Sequence, residues 1–209
     1  VKQPICIFPY SGTGKEALDC FNENQYCDAF ISDDENYIGK SYCGIPIISK
    51  LDLGPNKNIS LVHGSPTSFL KREQVIKEFK ESYSFQSVNI IHPSAQLSKS
   101  VKLGTNLLIM QNVVISPDVI IEDDVMILPN TTIHHDSYIG KGSIICGNVL
   151  IAGNVIVNSS CYIGAGSNIK NGVTIASKTL IGIGSNVVKD VILENLILTG
   201  NPARVVLKK

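Results

Sequence analysis

The chain is short of charge. Lysine and arginine together number 18 of 209 residues, aspartate and glutamate another 18, and the formal net charge is zero. Proteins that grip nucleic acid electrostatically carry a basic excess, so that class is disfavoured, although a phosphorylated small molecule is not. No apolar run reaches the length of a membrane-spanning helix, and the opening VKQPICIFPY lacks the layout of a signal peptide. A cytoplasmic protein is therefore expected. No two of the six cysteines (Cys6, Cys20, Cys27, Cys43, Cys146 and Cys161) stand at C-x-x-C spacing. They are expected to be reduced thiols packed as small hydrophobes, not disulfides or zinc ligands. Apolar residues, by contrast, make up 44% of the chain, enough for a substantial core in one large domain or two small ones.

A strict period organises the second half. Stepping by six from Leu97 to Val187 meets sixteen aliphatic residues and no insertion. Two positions before each stands a small or β-branched residue, among them Ala95, Val113, Thr131, Ser137, Ser143, Cys161 and Ser185. Glycine, asparagine and aspartate recur between them, as in Asn112, Asp118, Asn130, Gly142 and Asn154. A period of six suits neither an α-helix nor a hairpin sheet. It suits a parallel β-helix, in which each hexad makes one short strand and one corner. The large aliphatic fills the interior, the small residue packs near the corner, and Gly or Asn tolerates the corner dihedrals. Three hexads per coil give about five coils, roughly 4.8 Å apart.

Residues 1–92 read as a small α/β unit. Ile5–Phe8, Cys27–Ile31, Gly44–Ile48, Ile59–Val62 and Val88–Ile91 are expected strands. Lys15–Phe21 is an expected helix, and a second is expected to start at Ser65-Pro66, with Ser as cap and Pro in the first turn. Alternating strand and helix implies a parallel, Rossmann-like sheet. Ser11-Gly12-Thr13-Gly14-Lys15 is not a P-loop, because Pro9 and Glu16 stand where that motif needs Gly and Ser or Thr. It reads either as a phosphate cradle between strand and helix or as a plain turn.

This α/β unit, the Ile91-His92-Pro93-Ser94-Ala95 entry and the unbroken hexads together resemble the sugar O-acyltransferases of the sialic acid O-acetyltransferase type. Within that group the chain is most similar to the N-acetyltransferases of nucleotide-linked 4-amino sugars, such as the bacillosamine and perosamine enzymes. The resemblance implies a left-handed β-helix over 93–190, a nucleotide-sugar domain over 1–92 and a tail over 191–209. It also implies acetyl-CoA as donor and a homotrimer with active sites between subunits. Only His134 and His135 lie within the hexads and His92 stands at their entrance, more than two coils away, so no metal is expected.

Ile133-His134-His135-Asp136 lies in mid-repeat. Ile133 points inward, which leaves both histidines on outer strand and corner positions. Acetyl transfer needs a base to take the acceptor's proton, and imidazole suits that task near neutral pH. The resemblance, aligned through Ile139-Gly140, implies His135 as base and Asp136 as its orienter, with His134 as the fallback. It implies Gly153, one coil beyond His135, as an oxyanion or donor contact. Gly182, Lys189 and Arg204 (the last within Gly200-Asn201-Pro202-Ala203-Arg204) become candidate CoA contacts, with simple corner geometry the other reading of Gly182. Ser11, Gly12, Thr13, Gly14, Asp33 and Asp34 are the implied acceptor-binding residues. Pro9 and Thr13 depart from the family's usual residues and keep open a sugar hydroxyl as acceptor in place of an amine. A non-catalytic trimeric scaffold is the third reading.

Overall fold

The computed structural model describes residues 2–208. The N-terminal unit is built on β1 (Gln3–Phe8), whose last four side chains are all buried. It continues through α1 (Gly12–Glu16) and a 3₁₀ turn at Ala17–Cys20 to β2 (Gln25–Ser32). The hairpin β3 (Ser41–Tyr42) and β4 (Ile45–Ser49) follows, then β5 (Lys57–Leu61), α2 (Phe69–Ser82) and β6 (Phe85–Ser87). The sheet order is β3-β4-β2-β1-β5-β6, parallel throughout except for the antiparallel β3–β4 pair. Successive connections run outward from β1 in both directions, so the strand order reverses between β1 and β5.

Three local expectations are corrected. The helix expected over Lys15–Phe21 starts earlier, at Gly12, because Ser11 caps it by accepting the Gly14 N–H, and it tightens to a 3₁₀ turn from Ala17. The helix expected at Ser65-Pro66 starts at Phe69. The Ser65 carbonyl is taken by the N–H groups of Ser68 and Phe69, and its hydroxyl bonds those of Thr67 and Ser68, so these residues close a turn first. The single strand expected over Val88–Ile91 is split. β6 ends the sheet at Ser87, while Ile90–Ile91 is already the first strand of the β-helix, paired with Leu108–Ile109.

From Ile90–Ile91 to Asn186–Val187 the chain forms two-residue parallel strands on three faces of a prism. Each pairs with the strand eighteen residues on, as in Ile115 with Ile133 and Ile121 with Ile139. The parallel stacked sheets and hexad corners are those of a left-handed β-helix. The inward aliphatics from Ile109 to Val187 are at most 2% exposed. Every sixth residue from Asn106 to Gly184 has a positive φ, which is why Gly, Asn and Asp recur there.

The small residues two before each aliphatic do more than fit the corner. At Thr131, Ser137, Ser143, Ser167 and Ser185 the hydroxyl joins two coils, whereas that of Thr179 is buried without a partner among the described residues. Ser143 Oγ donates to the Asn158 carbonyl at 3.1 Å and accepts the Cys161 N–H at 3.1 Å. Ser137 and Ser167 repeat the pattern with Ala152 and Val155, and with Gly182 and Ser185.

The N-terminal unit covers one prism face. The outward side chains of that face, Ile90, Leu108, Met126 and Ile144, are therefore buried, whereas Ile120 and Leu150 on the other two are exposed. A Cβ on Gly64 would stand 2.4 Å from Ile144 Cδ1, so only glycine lets the loop after β5 lie on this face. Leu196–Thr199 extends the same face and pairs antiparallel with Arg204–Lys208. All six cysteines are free thiols. Among the described residues no helix is long and apolar enough to cross a membrane.

Ser143→Ala removes a buried bridge and orphans one N–H and one carbonyl. It is expected to cost about 1–3 kcal/mol of stability, read from the shift of the urea unfolding midpoint.

Candidate active site

Each corner residue stacks on the one eighteen positions earlier. One column therefore runs Pro117, His135, Gly153, Asn171, along the edge between the face carrying Thr132–Ile133 and the face carrying Tyr138–Ile139. Hydrogen bonds from Asp136 N–H to Pro117 O, from Asn154 N–H to His135 O and from Gly172 N–H to Gly153 O hold its first members in register.

Asp136 takes the left-handed corner position, with φ 58°. This bend brings its carboxylate to the neighbouring ring, and His135 Nδ1 lies 2.7 Å from Asp136 Oδ2. A carboxylate only accepts, so Nδ1 carries the hydrogen and Nε2 keeps its lone pair in the neutral ring. The two side chains are 55% and 53% exposed, open to a substrate. The ring lies over Gly153: a Cβ there would stand 2.7 Å from both Nε2 and Cε1. Glycine at 153 is thus explained by room for the His135 ring. His134 is exposed, its peptide N–H bonded to Ile151 O, and its ring has no protein partner among the described residues.

Lys189 follows the last two-residue prism strand, Asn186–Val187, just before the eighteen-residue offset gives way to sixteen at Val191. It lines a cavity of about 320 Å³ with Asp190 and Arg204, so the structure brings together the two expected donor cations. Gly182 belongs to a different corner column. A Cβ on it would meet Thr199 Oγ1 at 2.9 Å, so packing of the returning strand accounts for glycine at this position.

The expected acceptor residues divide into two groups. Ser11, Gly12 and Thr13 line a cavity of about 390 Å³ with Pro9, His63, Gly64, Ser65 and Ser68. It opens between the loops after β1 and β5, where the strand order reverses, the usual ligand crevice of such sheets. Gly14 lies beneath: its N–H donates to Ser11 Oγ at 3.1 Å, and a Cβ would stand 2.5 Å from Pro9 O. Asp33 and Asp34 are not among the lining residues. Lys50 Nζ holds the Asp33 carboxylate at 2.7 Å, and Asp34 Oδ1 accepts from the Asn36 backbone and side chain at 2.9 and 2.8 Å. His63, Ser65 and Ser68 were not singled out from the sequence. The available signal was their place immediately after β5, the strand beside β1. Burial, then the charges of Arg72 and Lys50, lower the His63 pKa and favour a neutral ring.

Within one chain the cavity between the loops after β1 and β5 and His135 do not meet. The N-terminal unit sits on one face of the prism, and the His135 column is the edge opposite that face. Among the described residues no group of three or more His, Cys, Asp or Glu is placed to hold a metal ion.

Residues 118–153, which include His135, Asp136 and Gly153, match the family described as bacterial transferase hexapeptide (six repeats). Comparison with curated protein sequences returns no match. Among solved structures, PerB from Caulobacter crescentus in complex with CoA and GDP-perosamine is similar at 25% identity and a TM-score of 0.86, over 98% of this chain and 97% of that one. The acetyltransferase domain of PglB from Neisseria gonorrhoeae has the same fold at 23% identity and a TM-score of 0.86, over 98% of this chain and 100% of that one. WeeI from Acinetobacter baumannii shares it at 21% identity and a TM-score of 0.65, over 98% and 100%. The hexapeptide repeat is that of bacterial transferases, and the fold is the one this chain shares with PerB and the acetyltransferase domain of PglB.

Gly153→Ala is expected to push the His135 ring off its seat and break its bond to Asp136 while the coils stay intact. A shift of the His135 imidazole signals by NMR, with unchanged circular dichroism, checks this.

Proposed function

We propose that the chain transfers acetyl from acetyl-CoA to the amine of a nucleotide-linked amino-deoxy sugar, for a bacterial surface glycan. The observation that carries the reading is the His135–Asp136 pair, seated over Gly153. His135 Nε2 accepts the proton of the acceptor amine as its nitrogen attacks the thioester carbonyl. Asp136 holds Nδ1 and stabilises the imidazolium that forms. The Gly153 backbone N–H has no protein partner among the described residues and is the candidate donor to the developing oxyanion. The Lys189 and Arg204 cavity, about three coils away, suits the phosphates of an extended CoA. PerB, crystallised with CoA and GDP-perosamine, supports both substrate classes.

The acceptor's nucleotide is assigned to the cavity of the N-terminal, Rossmann-like unit. Its lining offers serine and threonine hydroxyls, an imidazole and backbone, and no carboxylate. Because that cavity and His135 lie on opposite sides of one prism, a complete site takes the base from one subunit and the cavity from another. A homotrimer provides this arrangement around a threefold axis.

His135→Ala is expected to lower kcat at least about a hundredfold in a thiol-release assay, with acetyl-CoA binding retained and His134→Ala near wild type. The reverse pattern would move the base to His134. The assay runs over UDP-, dTDP- and GDP-linked 4-amino sugars beside free sialic acid. Turnover only on hydroxyl sugars would reassign the protein to O-acetylation, and absence of acetyl-CoA binding would leave a scaffold. Co-expression of His135→Ala with a chain whose cavity is filled by Ser68→Trp is expected to restore about a quarter of wild-type activity, the share of randomly paired interfaces with two intact halves. No recovery would mean that each site lies within one chain.

A further inference from the structure

Arg72, on α2, is wholly buried at 0% exposure. Burial pulls its guanidinium down to about 10, with Asp124 pulling the other way. Its Nη1 donates to the carbonyls of Leu61 and His63, and its Nη2 donates to the Asp124 carbonyl at 2.6 Å. Nε, also buried, has no partner among the described residues. Leu61 ends β5, and His63 and Gly64 form one wall of the acceptor cavity. Asp124 is a prism corner, 2% exposed, whose carboxylate is held by Asn106 Nδ2 at 2.8 Å and Lys80 Nζ at 3.0 Å. One side chain thus ties the cavity wall to the β-helix.

For stability alone a buried cation with an idle N–H is a poor choice, since an apolar side chain fills such a space at less desolvation cost. What only a guanidinium supplies is several rigidly directed donors, here reaching carbonyls of two separate bodies. The wall is otherwise a short irregular stretch that must hold its place against the prism, and the prism in turn carries the reacting groups.

We propose that Arg72 is a positioning residue of the acceptor cavity: it fixes the His63–Gly64 wall relative to the β-helix and so sets acceptor affinity. This rests on the reading of that cavity as the acceptor site. The test compares Arg72→Met with Lys80→Met, which loosens the same Asp124 corner from the outside without touching the wall. Amide exchange is followed in the free protein at Val62 and Ser68, whose N–H groups bond Phe8 O and Ser65 O. Arg72→Met is expected to speed exchange at both at least tenfold, to raise acceptor KM tenfold or more and to move acetyl-CoA KM less than twofold. Lys80→Met is expected to leave acceptor KM within twofold. Should Arg72→Met not fold, Arg72→Lys carries the same test, because ammonium cannot span the three carbonyls. Wild-type exchange and KM in a folded Arg72 variant, or an equal KM rise in Lys80→Met, would overturn the proposal. If the wild type acetylates no nucleotide sugar, the acceptor reading fails while the exchange data still judge the positioning role.

Discussion

The structure depends on one constraint, the hydrogen-bonded stacking of each coil on the next at a fixed offset of eighteen residues. Stacked in this way, side chains of equal phase form columns, and each column must suit one environment along its whole length. Inward positions become continuous aliphatic rows. One residue of each corner from Asn106 to Gly184 takes the left-handed conformation, so Asn, Asp and Gly repeat there, and Ser160 and Lys178 accept it at some steric cost. The same logic seats the His135 ring over Gly153 without long-range folding, because the two need only share one phase. An insertion of a single residue between His135 and Gly153 would take them off the same edge.

The N-terminal unit adds what a repeat cannot supply, an irregular concave surface. Reversal of strand order at β1 leaves a crevice between two loops, and glycine at 64 lets one of those loops press on Ile144. Contact with a single prism face orients the crevice away from the chain's own His135 column. The geometry of the parts therefore bears on assembly: catalysis by this pair on an acceptor held in this cavity calls for a neighbouring subunit. The buried polar cluster of Arg72, Asp124, Asn106 and Lys80 lies where the two bodies join, so it bears on the alignment of both halves.

Much of the β-helix was legible residue by residue, since periodicity is a local property and each hexad repeats the same physical demand. The outward sense of His134 and His135 was legible for the same reason, while the pairing of His135 with Asp136 was implied by the family resemblance and is a hydrogen bond between neighbours in the chain. Gly153 was found from its phase, but its packing role depends on where the His135 ring settles. The acceptor side was less legible. Asp33 and Asp34 follow β2 as expected, yet Lys50 and Asn36, neither implied by any motif, occupy their carboxylates. His63, Ser65 and Ser68 join Ser11 and Thr13 only because β5 pairs with β1 across about fifty residues of chain.

Sequence by itself thus determined the prism, its register and the inward and outward sense of each residue, His134 and His135 included, because all of these follow from a period of six and from nearest neighbours along the chain. Tertiary structure alone decided which face the N-terminal unit covers, which loops enclose the cavity, which charges are already paired and why Arg72 is buried. Those outcomes depend on contacts between residues far apart in sequence, whose energies no local pattern encodes.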